Sequence, residues 1–258
     1  MMPLVSEELS RLVSLVERLR RDCPWDREQT PETLRTYVLE ESYEVLDAID
    51  AQDAESLADE LGDLLFQILF LSRIAAERGW FDIGGVADRI ARKMTERHPH
   101  VFGGPTAADA EEVRRGWERR KQRASGAADP LGSIPRSLPA LAAAYRVTAR
   151  AADLGFDWER DADVAAKIEE ELAEWRAAAA GEDRDAEEHE IGDLLFSIVN
   201  LARRRGVDPE TALRKTQDRF RKRFARVAER SRESGREVGD VSADELDSYW
   251  EAAKREEK

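Results

Sequence analysis

The sequence is poor in the residues that most often build soft-metal and redox sites. Cys23 is its single cysteine, which excludes an intrachain disulfide and a cysteine-based zinc site. Its three histidines are His98, His100 and His189, and none stands three residues after a glutamate. The Glu-x-x-His pattern of a di-iron carboxylate bundle is therefore missing. Long apolar runs are missing too: the longest, Leu64 to Leu71, is interrupted by Gln67 and is too short to span a bilayer. No basic stretch followed by an apolar run opens the chain, so no secretory leader is expected. With its lone cysteine the chain is expected to be soluble and cytoplasmic. Positive charge is in deficit, 41 basic residues against 55 acidic ones for a net charge of −14. That balance argues against a general nucleic-acid backbone binder, which needs a basic surface. Strand signals are almost absent, with no sustained β-branched alternation and no Asn-Gly or Asp-Gly turn.

Helical periodicity is what remains. Leu9, Leu12, Val13, Val16 and Leu19 form an i, i+3, i+4, i+7 stripe. A loop over Asp22-Cys-Pro-Trp-Asp-Arg-Glu-Gln follows. Thr30-Pro31 then supplies an N-cap with proline at the first helical position, opening a helix to about Asp50. Further helices are expected from about Glu55 to Glu77 and from Val86 to Arg97. Between Gly103 and Leu138 the composition shifts to Gly, Pro, Ala and Ser around a basic stretch at 114–123, and the prolines from Pro130 to Pro139 forbid a continuous helix. A length of 258 residues suits two domains of about 125 residues, and the boundary is placed near 128, giving 1–128 and 129–258. The second half repeats the first: a helix near 138–152, a loop with Phe156-Asp-Trp158, two acidic helices, a long helix from Asp208-Pro209 to about Glu229, and a short tail helix. The fold class is all-α, two tandem helical domains.

One pattern is duplicated. Glu41, Glu44, Glu60 and Asp63 read E-x-x-E, fifteen residues, E-x-x-D; Glu171, Glu174, Glu190 and Asp193 repeat it at a constant offset of 130 (171 − 41). Each Asp opens Asp-Leu-Leu-Phe. Residues three apart share a helix face, and at about 100° per residue all four pairs project into the apolar arc of their helices. Unpaired carboxylates facing a core are costly, and a bound cation compensates them. All-oxygen ligands select Mg²⁺, Mn²⁺ or Ca²⁺; Mg²⁺ is expected, with Mn²⁺ as a substitute.

The two copies differ in their companions. Lys215, Arg219 and Arg223 step by four along one helix face, a clamp for a polyphosphate or a solvated basic stripe. Lys167 projects beside Glu171 where the first copy has Tyr37, either to neutralise phosphate or to snorkel from a helix start. Asn200 lies on the Asp193 side of its helix, where the first copy has Phe70. Trp250 in the tail is a stacking surface for a nucleobase or a packing anchor. If one copy is active, these features favour the second.

Taken together, Cys23-Pro-Trp-Asp-Arg-Glu-Gln-Thr, Glu40-Glu-Ser-Tyr-Glu-Val-Leu-Asp-Ala-Ile, Glu60-Leu-Gly-Asp-Leu-Leu-Phe-Gln, Arg97-His-Pro-His-Val-Phe, Ile134-Pro-Arg-Ser-Leu-Pro-Ala-Leu and Gly155-Phe-Asp-Trp resemble the MazG family of nucleoside triphosphate pyrophosphohydrolases, in its two-domain bacterial form. The resemblance implies an all-α fold whose helical hairpins pair across a homodimer into four-helix bundles, with Mg²⁺ between the E-x-x-E and E-x-x-D helices. It implies hydrolysis of a nucleoside triphosphate to the monophosphate and pyrophosphate. By matched position, Glu171, Glu174, Glu190 and Asp193 look like metal ligands, Glu170 an accessory carboxylate, Lys167, Arg219 and Arg223 phosphate contacts and Trp250 a nucleobase contact. Glu170 or Glu171 is the expected proton acceptor. His189 departs from the pattern, which usually has another Glu there. The rival readings are a catalytically silent nucleotide- or metal-binding regulatory module and a purely structural helical dimer.

Overall fold

A computed structural model describes residues 3–104, scattered positions between 106 and 120, and residues 129–181 and 183–256, with side chains from residue 7 onward. The basic stretch at 114–123 lies mostly outside these. Among the described residues the regular structure is entirely helical, as expected. The elements are α1 (Pro3–Asp22), α2 (Pro24–Glu28), α3 (Pro31–Ala51), α4 (Ala54–Glu77), α5 (Ile83–Arg97), α6 (Ala140–Asp153), α7 (Asp161–Ala180), α8 (Arg184–Arg204), α9 (Pro209–Glu233) and α10 (Ala243–Glu256), with a 3₁₀ turn at Val238–Asp240 before the last. Contacts divide the chain into two compact units, Met1–Val113 and Arg114–Lys258, a division that falls ahead of the compositional boundary near 128.

In the first unit α3 and α4 form a hairpin because its ends are chemically specified. Thr30 accepts from Thr33 N while the Thr33 hydroxyl accepts from Thr30 N, a reciprocal capping box with Pro31 at the first helical position. Gln52 ends α3 in the left-handed region at φ 55°, and Asp53 then caps α4 by accepting from Glu55 N and Ser56 N. So short a connection forces antiparallel packing of the two helices. The core joins Val16 of α1, Leu34 of α3, and Leu69, Phe70 and Ile74 of α4, with Phe70 1% exposed.

One expectation is corrected. The segment from Asp22 to Gln29 is a loop only at its edges, and Pro24–Glu28 is a short helix. Cys23 is extended and Pro24 follows with its φ already helical, so the proline starts a turn here rather than ending one. Arg20 holds the segment: it donates to Gln29 O at 2.9 Å and pairs with Glu77 at 3.0 Å.

The second unit repeats the hairpin with α7 and α8, capped by Asp183 accepting from Ala186 N. α6 packs against α8 and α9, and α10 folds back on α9. The Phe156–Trp158 loop is tied to the end of α8. Arg203 bonds Asp157 at 2.6 Å, and Arg204 reaches Asp161 at 2.9 Å and Asp157 at 3.2 Å. Burial pushes the Asp157 carboxyl upward, yet these guanidiniums hold it below the usual aspartate range. Arg236 grips Glu245 with two bonds of 2.8 and 3.0 Å, fixing α10.

Candidate metal centres

The hairpins bring carboxylates together in both units, three at a time. In the first, Glu41 on α3 and Glu60 and Asp63 on α4 offer oxygens that all lie within 4.8 Å of one another. In the second, the set is Glu171 and Glu174 on α7 with Glu190 on α8. Helical spacing stacks each pair on one face, and antiparallel packing turns those faces towards each other. The fourth carboxylate of each quartet stands differently. Glu44 is exposed, yet it stands close enough to help push the Glu41 carboxyl upward. Asp193 has a side chain 48% exposed and a carboxylate oxygen 3.2 Å from His189 Nε2. The residue that departs from the family pattern is thus the one that engages the fourth predicted ligand.

Burial is uneven as well. The expectation that all eight carboxylates face a core holds for Glu171, 4% exposed, whereas Glu44, Asp63 and Glu174 reach solvent. Apolar neighbours on the same helices are also exposed, including Leu39, Leu46, Leu61, Leu195 and Ile198. Of the apolar positions read as flanking the carboxylates, Leu34, Ala48 and Val164 are buried and Ile198 is exposed, while the other exposed side chains lie off those arcs.

Electrostatics mark both clusters. Burial first, then Asp63, Glu44 and Glu60, push the Glu41 carboxyl above the ordinary range. Glu60 is raised by desolvation and by Glu44, Asp63 and Asp59. Glu174 is raised by desolvation, with Lys167 opposing and Glu171 and Glu190 adding to the rise. Lys167 Nζ lies 2.8 Å from Glu170 Oε1 and 2.7 Å from Glu171 Oε1, and the two hydrogen bonds raise the ammonium well above the usual lysine range.

The remaining predicted residues fall into other settings. Asn200 is 2% exposed and its amide oxygen accepts from Arg203 Nε at 2.9 Å, so it braces the guanidinium that holds the Asp157 loop. Its placement beside Asp193 on a helical projection overlooked this partner one turn later. Lys215 and Arg219 are exposed on α9, and Arg219 donates to Thr216. Arg223 lies over the Trp250 ring, 5.8 Å from its centroid, and Trp250 packs against Phe220 at 5.0 Å. Trp250 is therefore a half-buried member of an α9–α10 aromatic seam. One residue escaped the sequence reading. Gln67, one turn beyond Asp63 on α4, is 8% exposed, and its amide oxygen has no hydrogen-bond partner among the described residues. A polar residue interrupting the longest apolar run was the available signal.

Two carboxylate-lined hairpins in tandem define an all-helical protein organised around repeated carboxylate clusters that could hold a metal ion. Comparison with known proteins supplies the family. The model of the MazG nucleotide pyrophosphohydrolase domain matches residues 29–102, and that of phosphoribosyl-ATP pyrophosphohydrolase matches residues 147–220. A nucleoside triphosphate pyrophosphohydrolase from Escherichia coli is 42% identical over 97% of this chain and 98% of its own length. A nucleoside triphosphate pyrophosphohydrolase/pyrophosphatase MazG from Thermotoga maritima is 42% identical over 94% of each chain. The chain belongs to the MazG family of nucleoside triphosphate pyrophosphohydrolases. Each quartet falls inside one matched segment.

Proposed function

We propose that this protein hydrolyses nucleoside triphosphates at the α–β anhydride, releasing the monophosphate and pyrophosphate, with Mg²⁺ held by the carboxylate clusters and Mn²⁺ able to replace it. The observation that carries this reading is the convergence, in each hairpin, of three carboxylates from two helices to within 4.8 Å. Mg²⁺–oxygen bonds are about 2.0–2.1 Å, so ligands across one ion stand about 4 Å apart; a small inward movement closes either cluster to that size. The donor set is all oxygen, as a hard cation requires, and the orphaned Gln67 oxygen adds a further hard donor one turn away. These residues fit the ion.

Glu171, Glu174, Glu190 and Asp193 would hold the ion in the second unit, and Glu41, Glu44, Glu60 and Asp63 in the first. Bound there, Mg²⁺ supplies neutralisation of phosphate charge and acidification of water. The chain's own residues do the rest. In the reaction a water oxygen bonds to the α-phosphorus, the bond to the bridging oxygen breaks, and pyrophosphate leaves. Glu171 or the adjacent Glu170 accepts the proton that water loses. Lys167, Arg219 and Arg223 meet the charge building on the β and γ phosphates, with Lys215 extending the row. Trp250 offers a face to the base. Aberrant or deoxy nucleotides are the expected substrates, which makes nucleotide-pool housecleaning the role. The exposed apolar side chains of the α3–α4 and α7–α8 hairpins support a homodimer in which hairpins pair into bundles, and the single cysteine supports a reduced, cytoplasmic setting.

The test is pyrophosphate release from a panel of normal and modified nucleoside triphosphates with Mg²⁺, comparing Asp63→Ala with Asp193→Ala. Turnover that survives Asp63→Ala and is lost in Asp193→Ala supports activity in the second unit; the reverse assigns it to the first. No release from any nucleotide would mean a silent binding module.

A further inference from the structure

Positions 37 and 167 are equivalent in the two repeats and put opposite chemistry beside the same carboxylate. Lys167 stands one turn before Glu171, with its ammonium 2.7 Å from that buried carboxylate and 2.8 Å from Glu170. Its own side chain is one-third exposed, so it reaches the cluster from the solvent side. Tyr37 stands one turn before Glu41. A phenol carries no charge at neutral pH, and the Tyr37 ring packs edge-on against Trp25 at 6.1 Å. Among the described residues, no lysine, arginine or histidine forms an ion pair with Glu41, Glu44, Glu60 or Asp63. Among the described residues, one cluster carries its own cation and the other carries none.

We infer that Lys167 is a resident counter-ion that keeps the second cluster from retaining a divalent cation until a polyphosphate engages the ammonium, whereas the first cluster takes its cation without nucleotide. The inference rests on the metal reading above. A divalent ion entering the second cluster meets a positive charge within a few ångströms, and a unit charge at that range weakens binding by at least about tenfold even with solvent screening. A triphosphate supplies oxygens that compete with Glu170 and Glu171 for the ammonium. Once the lysine turns to phosphate, the Glu171 oxygen it held is free and the local charge favours the ion. Metal and nucleotide therefore bind the second unit cooperatively, each strengthening the other by the same factor. At the first unit the metal binds independently. Lys167 acts through Glu171 and is a positioning residue in this respect, with its phosphate contact following from the same movement.

The experiment is Mn²⁺ binding to the full chain in nucleotide- and phosphate-free buffer, followed by electron paramagnetic resonance. The wild type is expected to show one tight class of about one ion per chain, removed by Glu60→Gln, with a second class at least about tenfold weaker. Lys167→Met should tighten the second class towards the first, while Lys167→Arg, which keeps the charge, should leave it weak. Tyr37→Lys should weaken the first class by a similar factor and provides a reading even if Lys167→Met fails to fold, as judged by its helical circular dichroism. Two equally tight ions in the wild type, or an unchanged second class in folded Lys167→Met, overturn the proposal while leaving the metal reading intact. No Mn²⁺ at either cluster in any variant sinks both.

Discussion

Replacing Glu41 with glutamine should move stability in opposite directions with and without metal. Glu41 shares its cluster with Glu60 and Asp63 at no more than 4.8 Å between offered oxygens, and no cation pairs with it among the described residues. Two like charges at 4.8 Å repel by about 1 kcal/mol in water and about 3.5 kcal/mol at an effective dielectric constant of about 20. Glu41 is half-buried, so relief of this repulsion is set near the lower figure, about 1–2 kcal/mol. A glutamine keeps the shape and removes the charge. At about 4 °C or more per kcal/mol for a unit of this size, metal-free Glu41→Gln should melt about 4–8 °C above the wild type. Mg²⁺ reverses the order. A ligand at 100 times its Kd stabilises by about 2.7 kcal/mol, a gain that requires all three oxygens. Scanning calorimetry with chelator and then with saturating Mg²⁺ reads both arms. A metal-free melting temperature below the wild type's would refute the reasoning, because it would show the Glu41 charge to be compensated. Equal Mg²⁺ stabilisation of both proteins would remove Glu41 from the ligands.

Other residues carry separate expectations. Arg204→Ala leaves Asp157 with Arg203 alone and Asp161 with Arg205 at 3.1 Å; urea denaturation should show a loss of about 1–2 kcal/mol, and a loss under about 0.5 kcal/mol would mean the α8 end does not hold the loop. Arg236 first, then Ser242, lower the Glu245 carboxyl from 4.5 to about 2. Its folded value is depressed, so the clasp contributes fully above about pH 4.5 and is lost as pH falls towards 2. Carboxyl-carbon NMR should find Glu245 titrating near that lower value, and titration at an ordinary glutamate value would dissolve the clasp. Trp250→Ala should raise KM for nucleotide about tenfold with a smaller change in kcat, given about 1–3 kcal/mol per stacked base. A lower melting temperature with KM unchanged would leave Trp250 as a packing anchor against Phe220.

The residues of the chain determine a good deal alone. Thr30-Pro31, Asp53, Asp183 and Asp208-Pro209 start helices because their side chains accept the backbone donors that a first turn leaves unpaired. A 3.6-residue period stacks Glu41 with Glu44 and Glu60 with Asp63, and the constant offset of 130 copies that geometry into the second half. Hairpin, duplication and donor chemistry are all local properties, which is why they are legible without coordinates. Tertiary structure decided which oxygens meet. A helical projection gives each residue an azimuth but no partner across the interface and no rotamer. It therefore could not show that three carboxylates of each four converge, that His189 engages Asp193, that Arg203 occupies Asn200, or that Gln67 is buried with its oxygen unpaired. Helical spacing alone sets Lys167 one turn before Glu171, where the two pair at 2.7 Å, but only packing left that Glu171 carboxylate buried. Burial of a charge depends on what lies on the far side of it, and that is supplied by another helix.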